Sequence, residues 1–151
     1  MEDFLGWLAL IAFGVFCIRM SVIGAGGRAM SHANYSPGMT PIGYERWCAG
    51  QLEATGWQVI LTPPSGDQGA DIIGEMPGIR VVFQCKLYSK PVGNKAVQEI
   101  VSARAFYGAH YAAVVTNARY TQAAIELSRS NAVMLMHHNE LRALARKITQ
   151  P

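Results

Sequence analysis

Asp71 is followed thirteen residues later by Gln84, and the run Gln84-Cys85-Lys86 sets an amide and an ammonium on either side of a thiol. In an extended strand alternate side chains share a face, so Gln84 and Lys86 point one way and Cys85 the other. Met76-Pro77-Gly78 reads as a hairpin turn, about seven residues from both Asp71 and Gln84. With a simple register Asp71 lies across from Gln84, and a carboxylate, an amide oxygen and an ammonium form one cluster. That is equipment for phosphodiester hydrolysis. Asp71 offers Mg²⁺ a hard anionic oxygen, and Gln84 adds a neutral oxygen or an oriented hydrogen bond. Lys86 can position or activate the attacking water and offset charge building on phosphorus.

These side chains need elements to hold them. Thr40-Pro41 reads as an N-cap and a first-turn proline, opening a helix to about Thr55 with Ile42, Trp47, Leu52 and Cys48 on its buried side. Gly56 stops that helix. Residues 57–62 read as a strand ended by Pro63-Pro64, residues 65–69 as a tight polar loop, and residues 70–74 as a second strand. Residues 79–87, rich in β-branched types, form a third strand. Asn94 can cap a helix to about Tyr107, residues 111–116 make an apolar strand, and Thr121 caps a helix to about Arg129. A short strand at 133–136 and a helix at 139–148 complete an α-β-β-β-α-β-α-β-α order. The expected fold is α/β: a mixed sheet bearing a hairpin, with helices on both faces.

Other residues in the pattern have plainer readings. Asp67 in an Asp-x-Gly loop is an ordinary turn residue, and Gln68 belongs to the same loop. Glu45 suits the positive end of its helix. Gln84 is less easily dismissed, because it projects from the apolar run VVFQCKL, where an unpaired polar group is costly. His137-His138 looks like a metal pair, but adjacent histidines project differently and no third ligand is evident, so a solvated helix start fits better. Lys90, Lys95, Arg104 and Arg119 are candidate phosphate contacts, too scattered to count as a patch. Asn117, just past a strand end, is a candidate substrate-side residue.

With 151 residues the chain has room for one domain with a real core. Half of the residues are hydrophobic, a figure inflated by the first thirty. From Ser31 onward, eleven Lys and Arg face eight Asp and Glu, a balance of +3. So mild a charge permits a polyanionic partner without demanding one. Cys17, Cys48 and Cys85 form neither an even set nor a CxxC, which argues against a disulfide scaffold and a zinc site and fits a reducing compartment. Residues 4–18 carry no charge, yet fifteen helical residues fall short of a bilayer core of about 30 Å. Continuing through residue 27 closes the gap if Arg19 reaches the headgroups. A cleaved signal peptide is the rival reading, against which Glu2 and Asp3 precede the apolar run; a buried or interfacial helix is a third. Under the positive-inside rule Arg19 and Arg28 leave the following domain on the cytoplasmic side of the inner membrane. The expected organisation is an anchor at 1–28 (the membrane contact being residues 4–27), a linker at 29–40, and a domain at 41–151. The GAGG at 24–27 follows no strand and reads as linker, not as a phosphate loop.

Several stretches together carry a family resemblance: Tyr44-Glu45 on the first helix, SGDQGADII at 65–73, FQCK at 83–86, PVGNKAVQEI at 91–100 and VVTNARYTQAA at 114–124. Residues 41–146 resemble the Mrr-like restriction endonucleases, a branch of the PD-(D/E)xK nucleases in which Gln replaces the acid of the second motif. The resemblance implies a restriction-endonuclease-like fold and Mg²⁺-dependent (or Mn²⁺-dependent) cleavage of DNA. Asp71 would be the main metal ligand, with Gln84 and Lys86 completing the strand motif and the backbone carbonyl of Cys85 adding a ligand. Glu45 would reach the metal's water shell, and Asp67 would order the loop or bind water. Leu87 stands where the family often has a basic residue, and the apolar leader stands where many members carry a DNA-binding domain. The leading reading is a membrane-anchored endonuclease in defence or DNA turnover, a possible homodimer. A catalytically weak DNA-binding or sensing module on the same fold is the alternative, and a membrane interaction protein with an incidental fold a third.

Overall fold

The computed structural model describes residues 34–63 and 68–149. The expected anchor at 1–28, the start of the linker, and Asp67 lie outside the described residues. Among the described residues no helix is long and apolar enough to cross a membrane.

Helix α1 (Pro41–Glu53) is capped by Thr40, whose hydroxyl accepts from the Gly43 N–H at 3.1 Å. Then come β1 (Gln58–Leu61), β2 (Ile72–Met76), β3 (Ile79–Lys86), α2 (Asn94–Phe106), β4 (Tyr111–Thr116), α3 (Gln122–Ser130), β5 (Val133–His137) and α4 (Leu141–Thr149). The five strands lie in chain order, antiparallel from β1 to β3 and parallel from β3 to β5. This is the mixed sheet that the element order implied.

Two apolar clusters sandwich the sheet. Tyr44, Cys48 and Leu52 of α1 and Leu141 and Leu144 of α4 pack on the face bearing Ile72, Phe83 and Cys85. Ala96, Val97 and Ile100 of α2 and Ala124 of α3 cover the other face, with Val82 and Val114. Central β3 is therefore buried on both sides, which explains its near-continuous apolar run.

Local departures from expectation have tertiary causes. Ile42 is 46% exposed, whereas Tyr44 is fully buried. At about 100° per residue the buried meridian of α1 runs through 44, 48 and 52 and leaves 42 on the far side. Strand β2 continues past Gly74 because Glu75 and Met76 pair with Arg80 and Ile79, and Gly74 lies within it because the rings of Phe83 and Trp57 close over that residue; a Cβ there would lie 2.9 Å from Phe83 Cε2. Asn94 is the first residue of α2 rather than its cap. Gly93 takes that place without a side-chain hydrogen bond, and a parallel bridge between Val92 and Tyr120 sets where the helix begins.

His138 is not a solvated helix start. It is buried among Tyr35, Tyr44 and Trp47, with its Nδ1 3.3 Å from the Tyr44 hydroxyl. Tyr35, in the expected linker, thus packs onto the domain. Burial, followed by the charge of His137, lowers the His138 pKa below its usual 6.5. Burial, with Cys48 adding to it, raises the Tyr44 pKa, so the hydroxyl beside Nδ1 stays protonated. Below pH 6.5 the unfolded chain takes up a proton that folded His138 resists, so stability is complete above that pH and falls toward the lowered folded pKa. Glu140, whose pKa lies below its usual 4.5, acts in the same direction only in more acid solution. Denaturant titrations between about pH 5 and 6.5 should show this slope, and His138→Phe should flatten it. An unchanged slope in that variant would assign the effect to other groups.

Candidate active site

The β2–β3 register pairs Ile72 with Phe83, and one further step places Asp71 opposite Gln84. Backbone bonds hold Asp71 on both sides: its N–H donates to Phe83 O at 2.8 Å, and its carbonyl accepts from Thr62 N–H at 3.0 Å. Its Oδ2 accepts from the Cys85 N–H at 2.6 Å, so the carboxylate takes the place of a ladder partner where β2 begins. In an extended strand the N–H and C=O of one residue point to the same side, so the Cys85 carbonyl also faces this edge.

Gln84 is 3% exposed. Its Nε2 donates to Glu99 Oε2 at 2.8 Å, while its Oε1 is buried with no hydrogen-bond partner among the described residues. An unsatisfied buried acceptor costs about 1–3 kcal/mol, which an apolar side chain would avoid. Lys86 Nζ lies 3.6 Å from the same Glu99 oxygen, and Lys95 Nζ lies 3.7 Å from the other. The Thr116 hydroxyl donates to the Lys86 carbonyl at 2.7 Å, fixing the end of β3 to β4. Asp71, Gln84 and Lys86 thus gather where β2 begins and β3 ends, and Glu99 joins them.

Sequence reasoning overlooked Glu99, although it lies in the VQEI stretch already singled out. The crossover from β3 to parallel β4 lays the first turns of α2 over the carboxyl end of β3. Val97 and Ile100 face the sheet, and Glu99 and Lys95 share a face one turn apart. That topology was the available signal. Gly69 also seats on Glu99: it has φ +88°, and a Cβ there would lie 2.7 Å from the Glu99 carbonyl oxygen. Both facts require glycine.

The restriction-endonuclease family model for the Mrr catalytic domain matches residues 37–145. The chain belongs to the Mrr family of restriction endonucleases.

Members of the family use divalent cations and act on DNA. No curated protein matches the chain. Among solved structures, one similar to it is a protein of unknown function, AF1548, at 21% identity and TM-score 0.50, covering 59% of this chain and 53% of that one. Another is VC1899 from Vibrio cholerae, at 15% identity and TM-score 0.52, covering 70% of this chain and 32% of that one. The MspJI restriction endonuclease in complex with a 27-mer oligonucleotide matches more loosely, at 23% identity and TM-score 0.45, over 68% and 28% of the two chains. The Mrr domain thus spans about half of the first of these proteins and about a third of the second. At such identities the first two share its fold.

The remaining site residues fall around this cluster. Glu45 is half-buried on α1, across the sheet from Gln84. The Cys85 thiol is pushed well above its usual pKa, first by the hydrogen bond with Cys48, then by burial, with the charges of Asp71 and Glu45 adding to it. Glu45 therefore lies near the same strand end as Asp71, in the other layer. Gln68 adopts φ 51° beside Gly69. Leu87 packs into the α1 cluster.

Lys90 and Asn117 line an open cavity of about 480 Å³ with Ser89, Arg119 and His137, beyond the carboxyl ends of β3, β4 and β5. Its two loops are pinned by Val92 N–H to Arg119 O at 2.8 Å and Tyr88 N–H to Asn117 Oδ1 at 2.9 Å. Asn117 is thereby spent on the loop. His137 is also engaged: its Nδ1 accepts from the Asn139 N–H at 3.4 Å, and its Nε2 lies 3.3 Å from Asn117 O. Lys90 and Arg119 remain as the exposed cations of that wall.

The donor set suits a hard divalent cation. Among the described residues no three His, Cys, Asp or Glu converge as a cage. One carboxylate, an amide oxygen and a backbone carbonyl, completed by waters, are the hard oxygens that Mg²⁺ accepts. The partnerless Gln84 Oε1 is the atom that such an ion or its water would satisfy.

Proposed function

We propose that this Mrr domain is a Mg²⁺-dependent DNA endonuclease tethered to the inner membrane. The observation that carries the reading is the meeting, where β2 begins and β3 ends, of Asp71, Lys86 and a buried Gln84 oxygen that has no partner among the described residues. Asp71, Gln84 Oε1 and the Cys85 carbonyl would hold the cation, which supplies charge neutralisation on the phosphate and a more acidic water. Lys86 offsets negative charge on the phosphate oxygens as water attacks phosphorus and a P–O bond breaks. Glu45 orders water from the α1 side. Lys90, Arg119 and Lys95 lie at the same end of the sheet and would steer the DNA backbone, with Gln68 and Asp67 as further candidates for DNA contact. Residues 1–28 would serve as a single-pass anchor and the residues before Tyr35 as linker, with the domain facing the cytoplasm. One such site cuts one strand, so double-strand cleavage calls for a homodimer.

The test uses the full chain in detergent with supercoiled plasmid, comparing Mg²⁺, Mn²⁺ and EDTA. Nicking or linearisation with either cation and none with EDTA is expected. Lys90→Ala with Arg119→Ala should weaken DNA binding by a similar factor on every sequence and reduce the salt slope by about 2. Salt-sensitive binding without cleavage would favour a sensing module instead, and loss of both would leave the fold without the activity.

A further inference from the structure

A carboxylate has no proton to give, so whatever lies 2.8 Å from Glu99 Oε2 must be a donor. That condition decides which way the Gln84 amide faces. Its nitrogen must point to Glu99, and its oxygen must turn away. The opposite arrangement would press two acceptors together in a buried place. Gln84 Oε1, the atom so directed, is the one that lacks a hydrogen-bond partner among the described residues. Glu99 itself is held from both directions. Lys86 and Lys95 pair with its two oxygens, and Gly69 closes on its backbone carbonyl.

We propose that Glu99 is the positioning residue of this site: it locks the Gln84 amide with its oxygen presented to the divalent cation and holds the Lys86 ammonium beside it. The assignment rests on the cation-dependent reading above. Without Glu99 the amide can turn over and present its NH₂ group, which repels a cation. Glu99 acts through Gln84 and Lys86, and its α2 position explains why neither the strand spacing nor the loop reveals it.

The experiment exchanges the two groups. Full-length wild type, Glu99→Gln, Gln84→Glu and the double exchange are purified in detergent. Mn²⁺ binding is read by electron paramagnetic resonance without DNA, and folding by thermal melts. In Glu99→Gln either side-chain atom can face Gln84, so the lock is lost and Mn²⁺ affinity should fall about 10–100-fold. Gln84→Glu sets two carboxylates together, so one takes up a proton and Mn²⁺ affinity becomes strongly pH-dependent. The double exchange restores a donor facing an acceptor, now with a carboxylate on the cation side. It should recover affinity to within a few-fold of wild type or better, with a pH profile like that of wild type. A Glu99 that only stabilises the helix would lower the melting temperature without this rescue. Undiminished Mn²⁺ binding by Glu99→Gln, or a folded double exchange that does not recover, would overturn the proposal. A wild type that binds no Mn²⁺ at all would overturn the cation reading itself, and the positioning role with it.

Discussion

Replacing Asp71 with Asn should reduce cation-dependent DNA cleavage by about 10³-fold or more while leaving the domain folded; 10³-fold corresponds to roughly 4 kcal/mol of transition-state stabilisation. Asn keeps the shape and one oxygen, so it can still accept from the Cys85 N–H that Asp71 Oδ2 now binds at 2.6 Å. What it loses is the negative charge, and its second atom becomes an NH₂ group facing the cation. Asp71→Ala removes the acceptor as well. It leaves a buried N–H unpaired at a further cost of about 1–3 kcal/mol, and its melting temperature should fall below that of the Asn variant. Plasmid nicking rates beside thermal melts separate the two roles. Cleavage by Asp71→Asn within about tenfold of wild type would remove Asp71 as the principal ligand.

The distribution of what could be read in advance follows from which interactions are local. The β2–β3 hairpin joins Asp71 to Gln84 through a short turn, so counting residues was enough to set them opposite each other. Thr40 and Thr121 were legible as caps because a cap bonds only three residues ahead. Glu99 was not legible in that way. Its contacts with Gln84 and Lys86 are made across layers and exist only once α2 has crossed back over β3. The same holds for His138, which meets Tyr44 across 94 residues of chain and whose burial depends on α1 and on Tyr35. Periodicity misplaced Ile42 because its helix carries apolar residues on more than one side, and only the sheet decides which side is covered. The basic wall followed the same logic: Lys90 and Arg119 looked scattered, and the Val92–Tyr120 bridge brings their loops together.

Lys86→Ala should lower the cleavage rate by about 10²–10³-fold with little loss of Mn²⁺ or Mg²⁺ affinity, which distinguishes it from Asp71. The substitution leaves the backbone in place, since Thr116 binds the Lys86 carbonyl rather than its side chain. It removes an ammonium that lies 3.6 Å from Glu99 and is 22% exposed, at the mouth of the cluster rather than within it. A cation so placed counts most when charge builds on the phosphate, so its loss should fall on kcat more than on KM. Lys86→Arg keeps the charge but spreads it over a planar fork, and should recover part of the rate. Removing a positive charge beside the metal site should, if anything, tighten cation binding, and the Gln84–Glu99 hydrogen bond does not need the lysine. If Lys86→Ala instead weakens cation binding as strongly as it slows cleavage, Lys86 acts mainly as the counter-ion that holds Glu99 in place. If the rate stays within about threefold of wild type, phosphate charge is offset elsewhere, and Lys95, paired with the other Glu99 oxygen at 3.7 Å, becomes the residue to substitute next.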